Sequence, residues 1–305
     1  MISRGRRYLG DGMLLASTIV ASILVVGSLI VLLADVLAHG APKLSLGFLL
    51  KAPEQGMTAG GIFPAIVGTA ALVIIMTVAV VPVGVATAIY LTEYARPGSR
   101  FARVIRVAVS NLAGVPSIVF GLFGLGFFVQ FLGRGIDKVF YEGQKYYAQP
   151  ALLWGALTMA VLTLPVVIVA TEEAIRAVPR ELREAAYGLG ATKFQTVLTV
   201  VLPQAGPGIL TGTILAISRG AGEVAPILFT GAAYFLPQLP HALHNQFMHL
   251  GYHVYVLSTQ APDVDAAKPL LYATVAVLLG LTFLLNFSAM VLRARMRRRM
   301  LGRAA

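Results

Sequence analysis

The chain has 305 residues, of which 57% are hydrophobic and 12% are charged, with a formal net charge of +11 and no cysteine. So apolar a composition excludes a protein dissolved in water, and the lack of cysteine excludes disulfides, thiol catalysis and Cys-ligated metal sites. The positive charge does not indicate a nucleic-acid partner, because the basic residues are sorted into particular loops between long apolar segments.

Six apolar segments are each long enough for a helix that crosses a membrane, which takes about 20 residues. Apolar and polar residues do not alternate along these segments, so they predict helices rather than barrel strands. The expected fold class is therefore all-α, a polytopic membrane protein with about six transmembrane helices. In chain order the segments are residues 14–37, 62–91, 107–131, 152–171, 206–236 and 270–292.

Arginine and lysine lie mainly on one side of these segments. Seventeen of the 24 fall in the two tails and in the loops after the second and fourth segments, whereas six fall in the other loops. The positive-inside rule therefore places both termini in the cytoplasm. We expect a cytoplasmic N-tail (residues 1–13), a transmembrane domain (residues 14–292) and a basic cytoplasmic C-tail (residues 293–305) that contacts anionic membrane lipid.

The cytoplasmic loop at residues 179–203 predicts two short helices joined by a turn. Pro179 suits the first turn of a helix, and either Gly188 or Gly190 can take the left-handed conformation that a helix end favours. Thr192 begins a capping-box spacing, so a second helix is expected from there until Pro203 redirects the chain. Together the two helices form a compact cytoplasmic knob.

One face of this knob carries the small residues Ala185 and Ala186. Such a face fits a groove on a partner protein, with Glu184 and Arg183 placed to pair with charges at the rim of that groove. An ordinary amphipathic connection at the membrane interface is the alternative interpretation.

The fifth apolar segment contains two charged residues of opposite sign. Arg219 and Glu223 are four residues apart, hence on one helical face, and are expected to pair at rest. A charge near the bilayer centre costs about 2.5–3.5 kcal/mol, so such residues usually face a pathway. A guanidinium binds a tetrahedral oxyanion bidentately, and Glu223 would keep the anion from binding too tightly. With Ser218 they are candidate substrate-path residues; a purely structural ion pair is the alternative.

Two motifs resemble known transport subunits. The pattern E-A-A-x₃-G-x₉-V-x-L-P at residues 184–203 resembles the loop by which permeases of binding-protein-dependent ABC importers dock onto their ATPase. The run S-R-G-A-G-E-V-A-P-I-L at residues 218–228 resembles the fifth helix of PstA-type permeases of phosphate-specific importers. Residues 60–69, 82–94 and 115–122 are similar to further motifs of that family, in the same order.

The resemblance implies a type I ABC importer permease (MetI-like) fold in the inner membrane of a prokaryote. It also implies a PstC-type permease partner, an ABC ATPase dimer, a periplasmic or lipid-anchored phosphate-binding protein and inorganic phosphate as substrate. ATP and magnesium would belong to the ATPase, because this chain has no G-x-x-x-x-G-K-[ST] phosphate loop, and no cofactor, metal or enzymatic activity is expected in it. The implied coupling residues are Glu184, Ala185, Ala186, Gly190, Arg183, Leu202 and Pro203.

Other functions stay open from the sequence. The same machine could carry molybdate, sulfate or phosphonate, and an ion-coupled carrier or channel could use the intramembrane charge pair without ATP. A membrane-embedded enzyme is disfavoured, since the chain contains neither H-E-x-x-H nor G-x-S-x-G. His241, His244, His249 and His253 recur at the spacing of zinc ligands, but residues 239–257 are interpreted as an amphipathic helix at the outer interface.

Overall fold

A computed structural model describes residues 4–301 of the chain, and nearly all of its regular structure is helical. Within those residues six helical stretches are long and apolar enough to cross a membrane, which confirms the all-α, six-helix prediction. The six stretches are Gly12–Lys43, Phe63–Tyr94, Ser117–Phe140, Leu152–Arg176, Lys193–Gly222 and Val264–Arg295.

The α-helices follow one another along the chain with a single two-residue antiparallel ladder between them. They are α1 (Arg4–Gly40), α2 (Leu46–Leu50), α3 (Phe63–Ile89), α4 (Arg100–Ala113), α5 (Ser117–Phe123), α6 (Arg134–Phe140), α7 (Leu152–Arg176), α8 (Arg180–Gly188), α9 (Lys193–Thr196), α10 (Leu202–Gly222), α11 (Ala225–Thr230), α12 (Leu250–Thr259) and α13 (Val264–Leu301). The ladder pairs β1 (Pro53–Glu54) with β2 (Ala59–Gly60). Wider π-helical turns occupy Tyr90–Tyr94, Gly124–Gly133 and Val197–Val201; the first extends α3, and the other two make the helices on either side of them continuous.

The core lies where α3, α7 and α10 pack together. Met76 of α3 and Met159 of α7 are fully buried there, together with Ala216 of α10. The contact between α7 and α10 is close because it is made by small residues: a Cβ atom added to Gly212 would overlap the Cβ of Ala170. Small residues at helix crossings are how membrane helices gain packing contacts in the absence of a hydrophobic driving force.

The remaining long helices surround this core. The last helix, α13, packs against α10 and α12, and α1 packs along α13. Because α1 begins at Arg4 and α13 ends at Leu301, the described parts of both predicted tails continue these helices. The tail boundaries at residues 13 and 293 stay predictions.

The third membrane span begins later than the sequence predicted. The expected segment of residues 107–131 joins the end of α4 to α5, but the chain leaves the helical path at Gly114 and restarts at Ser117. Pro116 causes the break, because proline lacks an N–H donor and disfavours the helical conformation in the residue before it. Hydropathy alone does not register this break.

The fifth span is also displaced from its predicted limits of residues 206–236. It begins at Lys193 and ends at Gly222, and Glu223 is extended with φ −77° and ψ 137°. Glycine is a poor helix former and Pro226 provides no N–H, so the helix ends early and α11 starts afresh. The prediction that Pro203 redirects the chain is wrong, since Leu202 N–H bonds to the carbonyl of Val197, five residues back, in a π turn that admits the proline.

The predicted amphipathic helix at residues 239–257 exists only in its second half, as α12. Before it the backbone pairs with other segments: Leu152 N–H donates to Asn245 O at 2.8 Å, and Ala233 N–H donates to Phe247 O at 2.8 Å. The first amide groups of α7 have no partner within their own helix, so this loop supplies their acceptors. As a result His249 and His253 are buried in the fold instead of lying at the outer interface.

Candidate functional site

The cytoplasmic knob consists of α8, a glycine turn and α9. Gly190 has φ +83°, a left-handed conformation that favours glycine, and Ala191 N–H bonds to Ala186 O at 3.0 Å to close the turn. The capping box is confirmed: Thr192 N–H donates to Gln195 Oε1 at 2.8 Å, and Gln195 N–H donates to Thr192 Oγ1 at 3.3 Å. The turn is therefore determined by local sequence.

The surface of the knob presents apolar side chains next to the small residues. Glu184 and Ala185 are exposed, and Ala186 is half-buried. Leu189, at the tip of the turn, is 90% exposed, and Phe194 at the start of the next helix is 63% exposed. Sequence reasoning did not single out these two residues, although a leucine flanked by two glycines in a cytoplasmic loop is a recognisable signal of a contact surface.

Arg183 faces inward, and the pairing of this residue with charges on a partner protein stays a prediction. Its Nη2 lies 3.1 Å from Glu93 Oε1, and both side chains are at most 16% exposed. The same guanidinium donates to Ile175 O at 2.8 Å and to Val178 O at 2.7 Å. Ile175 lies in the last turn of α7 and Val178 lies two residues beyond its end, and a cation is favoured at that end of a helix.

Glu93 was not identified from the sequence either, because it lies 90 residues before Arg183. It sits in the π turn at the end of α3, so the ion pair joins α8 to the second membrane span. A cavity of about 540 Å³ lies beside this pair, and its lining includes Arg176, Arg180 and Glu184.

At the other end of the fifth span, Arg219 and Glu223 are in contact as the spacing predicted. Arg219 Nε donates to Glu223 Oε1 at 3.4 Å, with the arginine 48% exposed and the glutamate 23% exposed. Although Glu223 has already left the helix, its extended backbone returns the carboxylate to the guanidinium. A Cβ atom placed on Gly222 would meet no atom within 4 Å, so this side of α10 is open.

Ser218 lies on a neighbouring face of α10 and contacts the last helix. Its hydroxyl donates to Asn286 Oδ1 at 2.6 Å, which joins α10 to α13. Asn286 was not singled out from the sequence, because a lone amide in an apolar helix most often bonds to a neighbouring helix and gives no signal of a path. The assignment of Ser218 to the substrate path stays a prediction.

Among the described residues no three of the types His, Cys, Asp and Glu lie close enough together to hold a metal ion. The arrangement contains a half-exposed guanidinium at Arg219 and an exposed apolar surface on the knob, and the roles of both stay predictions. The two features occupy opposite ends of one continuous helical stretch, Lys193–Gly222.

Comparison with known proteins places these features in a family. Residues 80–301 match the family model described as "Binding-protein-dependent transport system inner membrane component". The chain is 33% identical over 266 residues to the "Probable ABC transporter permease protein YqgI" of Bacillus subtilis (strain 168), covering 83% of each chain.

Further similarity supports the same family. The chain is 42% identical over 176 residues to "Phosphate transport system permease protein PstA 1" of Mycobacterium tuberculosis (strain CDC 1551 / Oshkosh), a match that covers 58% of this chain and 52% of that protein. Its fold is similar to that of a chain in the crystal structure of a bacterial alginate ABC transporter in complex with a periplasmic protein, with a TM-score of 0.62, 14% identity and coverage of 97% and 96% of the two chains.

The six membrane spans and these similarities agree with one another. The chain belongs to the binding-protein-dependent transport system inner membrane components, the multi-pass inner-membrane permeases of ABC importers, whose partners are a separate ATPase and a substrate-binding protein.

Proposed function

We propose that the chain is the PstA-type permease of an ATP-driven importer of inorganic phosphate, in which it forms half of the translocation path beside a PstC-type permease. The observation that carries this proposal is the half-exposed guanidinium of Arg219 in a membrane span, paired with Glu223 at 3.4 Å. The similarity to a relative named as a phosphate transport permease supports the choice of substrate.

The charge pair suits an anion that must be bound and then released. A guanidinium binds a tetrahedral oxyanion through two parallel hydrogen bonds. At rest the Glu223 carboxylate accepts a hydrogen bond from one N–H group of the Arg219 guanidinium. An arriving phosphate replaces the carboxylate, and its oxygens accept the hydrogen bonds of the guanidinium instead. When the carboxylate returns to the guanidinium it favours release of the anion, so the anion is not held too tightly to be transported.

The knob supplies the coupling to ATP hydrolysis in this proposal. Glu184, Ala185, Ala186 and Gly190 form the face that enters a groove of the ATPase, with the exposed Leu189 at its tip. Arg183 has a different role, because it holds the knob to α3 and α7.

Leu202 and Pro203 lie in the fifth span just beyond the knob, where the helix continues without a break. Movement of the ATPase subunits would therefore reach Arg219 through one uninterrupted helix. For this to drive transport, the knob must contact the ATPase with different energies in the two states of the cycle.

The experiment is phosphate uptake by the assembled importer in proteoliposomes with its binding protein and ATP. We expect Arg219→Gln to lower uptake at least about tenfold, because the loss of a charged hydrogen-bond partner costs about 1.5–3 kcal/mol. Arg219→Lys keeps the charge but loses the bidentate geometry, so its uptake should lie between that of the unmodified importer and that of Arg219→Gln. The control Arg134→Gln removes an exposed arginine at the end of the third span and should transport normally.

Uptake by Arg219→Gln at the rate of the control would contradict the role of this arginine in the path. Competition separates the substrates: excess sulfate or molybdate should leave phosphate uptake unchanged, and inhibition by either would assign the importer to a different oxyanion.

A further inference from the structure

A basic cavity lies where the second membrane span turns into α4, on the cytoplasmic side. Its volume is about 360 Å³, within the usual range of small-molecule sites. Three arginines line it, Arg96, Arg103 and Arg106, together with the loop at Gly98 and Ser99, and no lining residue is acidic. The cavity is separate from the Arg219–Glu223 pair and from the docking knob.

Arg106 is held in place by Leu91, which also lines the cavity, and by Glu172, which lies outside the lining. Its Nη2 donates to the carbonyl of Leu91 at 2.9 Å, and its Nε lies 3.8 Å from Glu172 Oε1 on α7. Within residues 4–301, Glu172 forms ion pairs with Arg106 and with Arg176, and no ion pair involves Arg96 or Arg103. The cavity therefore has an excess of positive charge with one guanidinium already oriented.

An apolar surface adjoins the charged one. On α4, Phe101 and Val104 are 64% and 65% exposed, and Val107, which lines the cavity, is 53% exposed. The ring of Phe101 meets the edge of Tyr90 at 6.0 Å, so this surface continues from the second membrane span. A cationic cavity that borders exposed apolar side chains at the end of a membrane span matches an anion that carries acyl chains.

We propose that this cavity binds the phosphate group of an anionic phospholipid of the cytoplasmic leaflet, with the acyl chains along Phe101, Val104 and Val107. The guanidinium groups of Arg96 and Arg103 provide forked donors for the phosphate oxygens, and Arg106 completes the set. The bound lipid fixes α4 at the headgroup level and, through Arg106 and Glu172, stabilises its contact with α7.

The test measures lipid binding to the purified full-length chain in neutral detergent by native mass spectrometry. Short-chain phosphatidylglycerol is titrated against short-chain phosphatidylcholine, and inorganic phosphate is added as a competitor. We expect saturable binding of phosphatidylglycerol, weaker binding of phosphatidylcholine, and no displacement by inorganic phosphate.

Arg96→Gln and Arg103→Gln should each weaken phosphatidylglycerol binding about fivefold. The matched control is Arg100→Gln, an exposed arginine on the same helix that does not line the cavity, and it should bind like the unmodified chain.

Three results would overturn the proposal. Equal weakening by Arg100→Gln would mean that the lipid senses only the general surface charge. Equal binding of phosphatidylcholine would exclude selection for a net negative headgroup, and displacement by inorganic phosphate through the same arginines would assign the cavity to free phosphate.

Discussion

The guanidinium of Arg183 links the docking helix to two membrane spans through contacts that are largely withdrawn from solvent. Its partners are Glu93 at the end of α3 and two carbonyls near the end of α7, those of Ile175 and Val178. These contacts indicate that Arg183 is a positioning residue, which we expect to fix the angle at which the knob stands on the membrane domain.

Arg183→Gln should therefore lower stability and loosen coupling. Removal of one member of a mostly buried ion pair leaves the other charge uncompensated, at a cost of about 3 kcal/mol. We expect a lower unfolding midpoint in detergent and fewer phosphate ions moved per ATP hydrolysed by the assembled importer.

The control for this prediction is Arg180→Gln, which removes an exposed arginine from the same helix. An unchanged transport-to-hydrolysis ratio in Arg183→Gln, equal to that of the control, would contradict the positioning role.

Two histidines outside the membrane-spanning segments are buried in the fold. Burial lowers the pKa of His249 from 6.5 to about 3 and the pKa of His253 from 6.5 to about 4. His249 Nδ1 accepts a hydrogen bond from Gly251 N–H at 3.2 Å, whereas within the described part of the chain His249 Nε2 and His253 Nδ1 have no partner. Both rings are neutral at neutral pH and are costly to protonate in place.

The folded chain should therefore lose stability in acid. Well above pH 6.5 the two histidines are neutral in both the folded and the unfolded chain, so they give the free energy of unfolding no pH dependence. As the pH falls below 6.5 the unfolded chain takes them up and the folded chain does not, which lowers the free energy of unfolding by up to about 1.4 kcal/mol per pH unit for each histidine. The loss should level off near pH 4 for His253 and near pH 3 for His249.

Unfolding midpoints in detergent between pH 7.5 and pH 4.5 measure this effect. His253→Gln should flatten the dependence, and the exposed His241→Gln should leave it unchanged. A midpoint that stays constant across this range in the unmodified chain would show that the buried rings do not govern its acid stability.

At the scale of single elements, the knob exposes more apolar surface than a solvated loop needs. Leu189→Gln should weaken retention of the ATPase about tenfold or more, since burial of a leucine side chain contributes roughly 1.5–3 kcal/mol. The measurement is the amount of ATPase that copurifies with the permease. Leu46→Gln alters a leucine that is 77% exposed in a short helix outside the six spans, and should retain the ATPase; equal loss in both variants would exclude Leu189 from the contact.

The elements that the sequence predicted well are those determined by neighbours along the chain. The capping box of Thr192 and Gln195 and the contact of Arg219 with Glu223 follow from spacings of three and four residues. Span limits failed at Pro116, because an apolar run can hide a break, and at Pro203, because a π turn allowed the helix to continue.

Contacts between segments that are distant along the chain left no signal in the sequence by which they could be predicted. Arg183 and Glu93 are 90 residues apart, and Ser218 and Asn286 are 68 residues apart. Each pair forms only once the membrane spans have packed, so neither hydropathy nor a local spacing could identify it. This is why the inward orientation of Arg183 was missed while the knob that carries it was predicted.

At the scale of the whole molecule, we propose that the chain contributes an anion path and a docking surface, whereas a partner hydrolyses ATP. Reconstituted alone in liposomes, it should show neither phosphate uptake nor ATP hydrolysis. Addition of the second permease, the ATPase and the binding protein should restore both. Uptake by the chain alone, without nucleotide, would instead indicate a carrier or channel.

The unbroken stretch from Lys193 to Gly222 crosses α7 where Gly208 and Gly212 lie against Ala174 and Ala170. This crossing can serve as a fulcrum, with about 26 Å of helix on the cytoplasmic side and about 18 Å on the other, at about 1.5 Å per residue. A rotation about this crossing would convert a large displacement with a small force at the knob into a smaller displacement with a larger force at Arg219. The larger force would act where a bound anion must separate from the guanidinium.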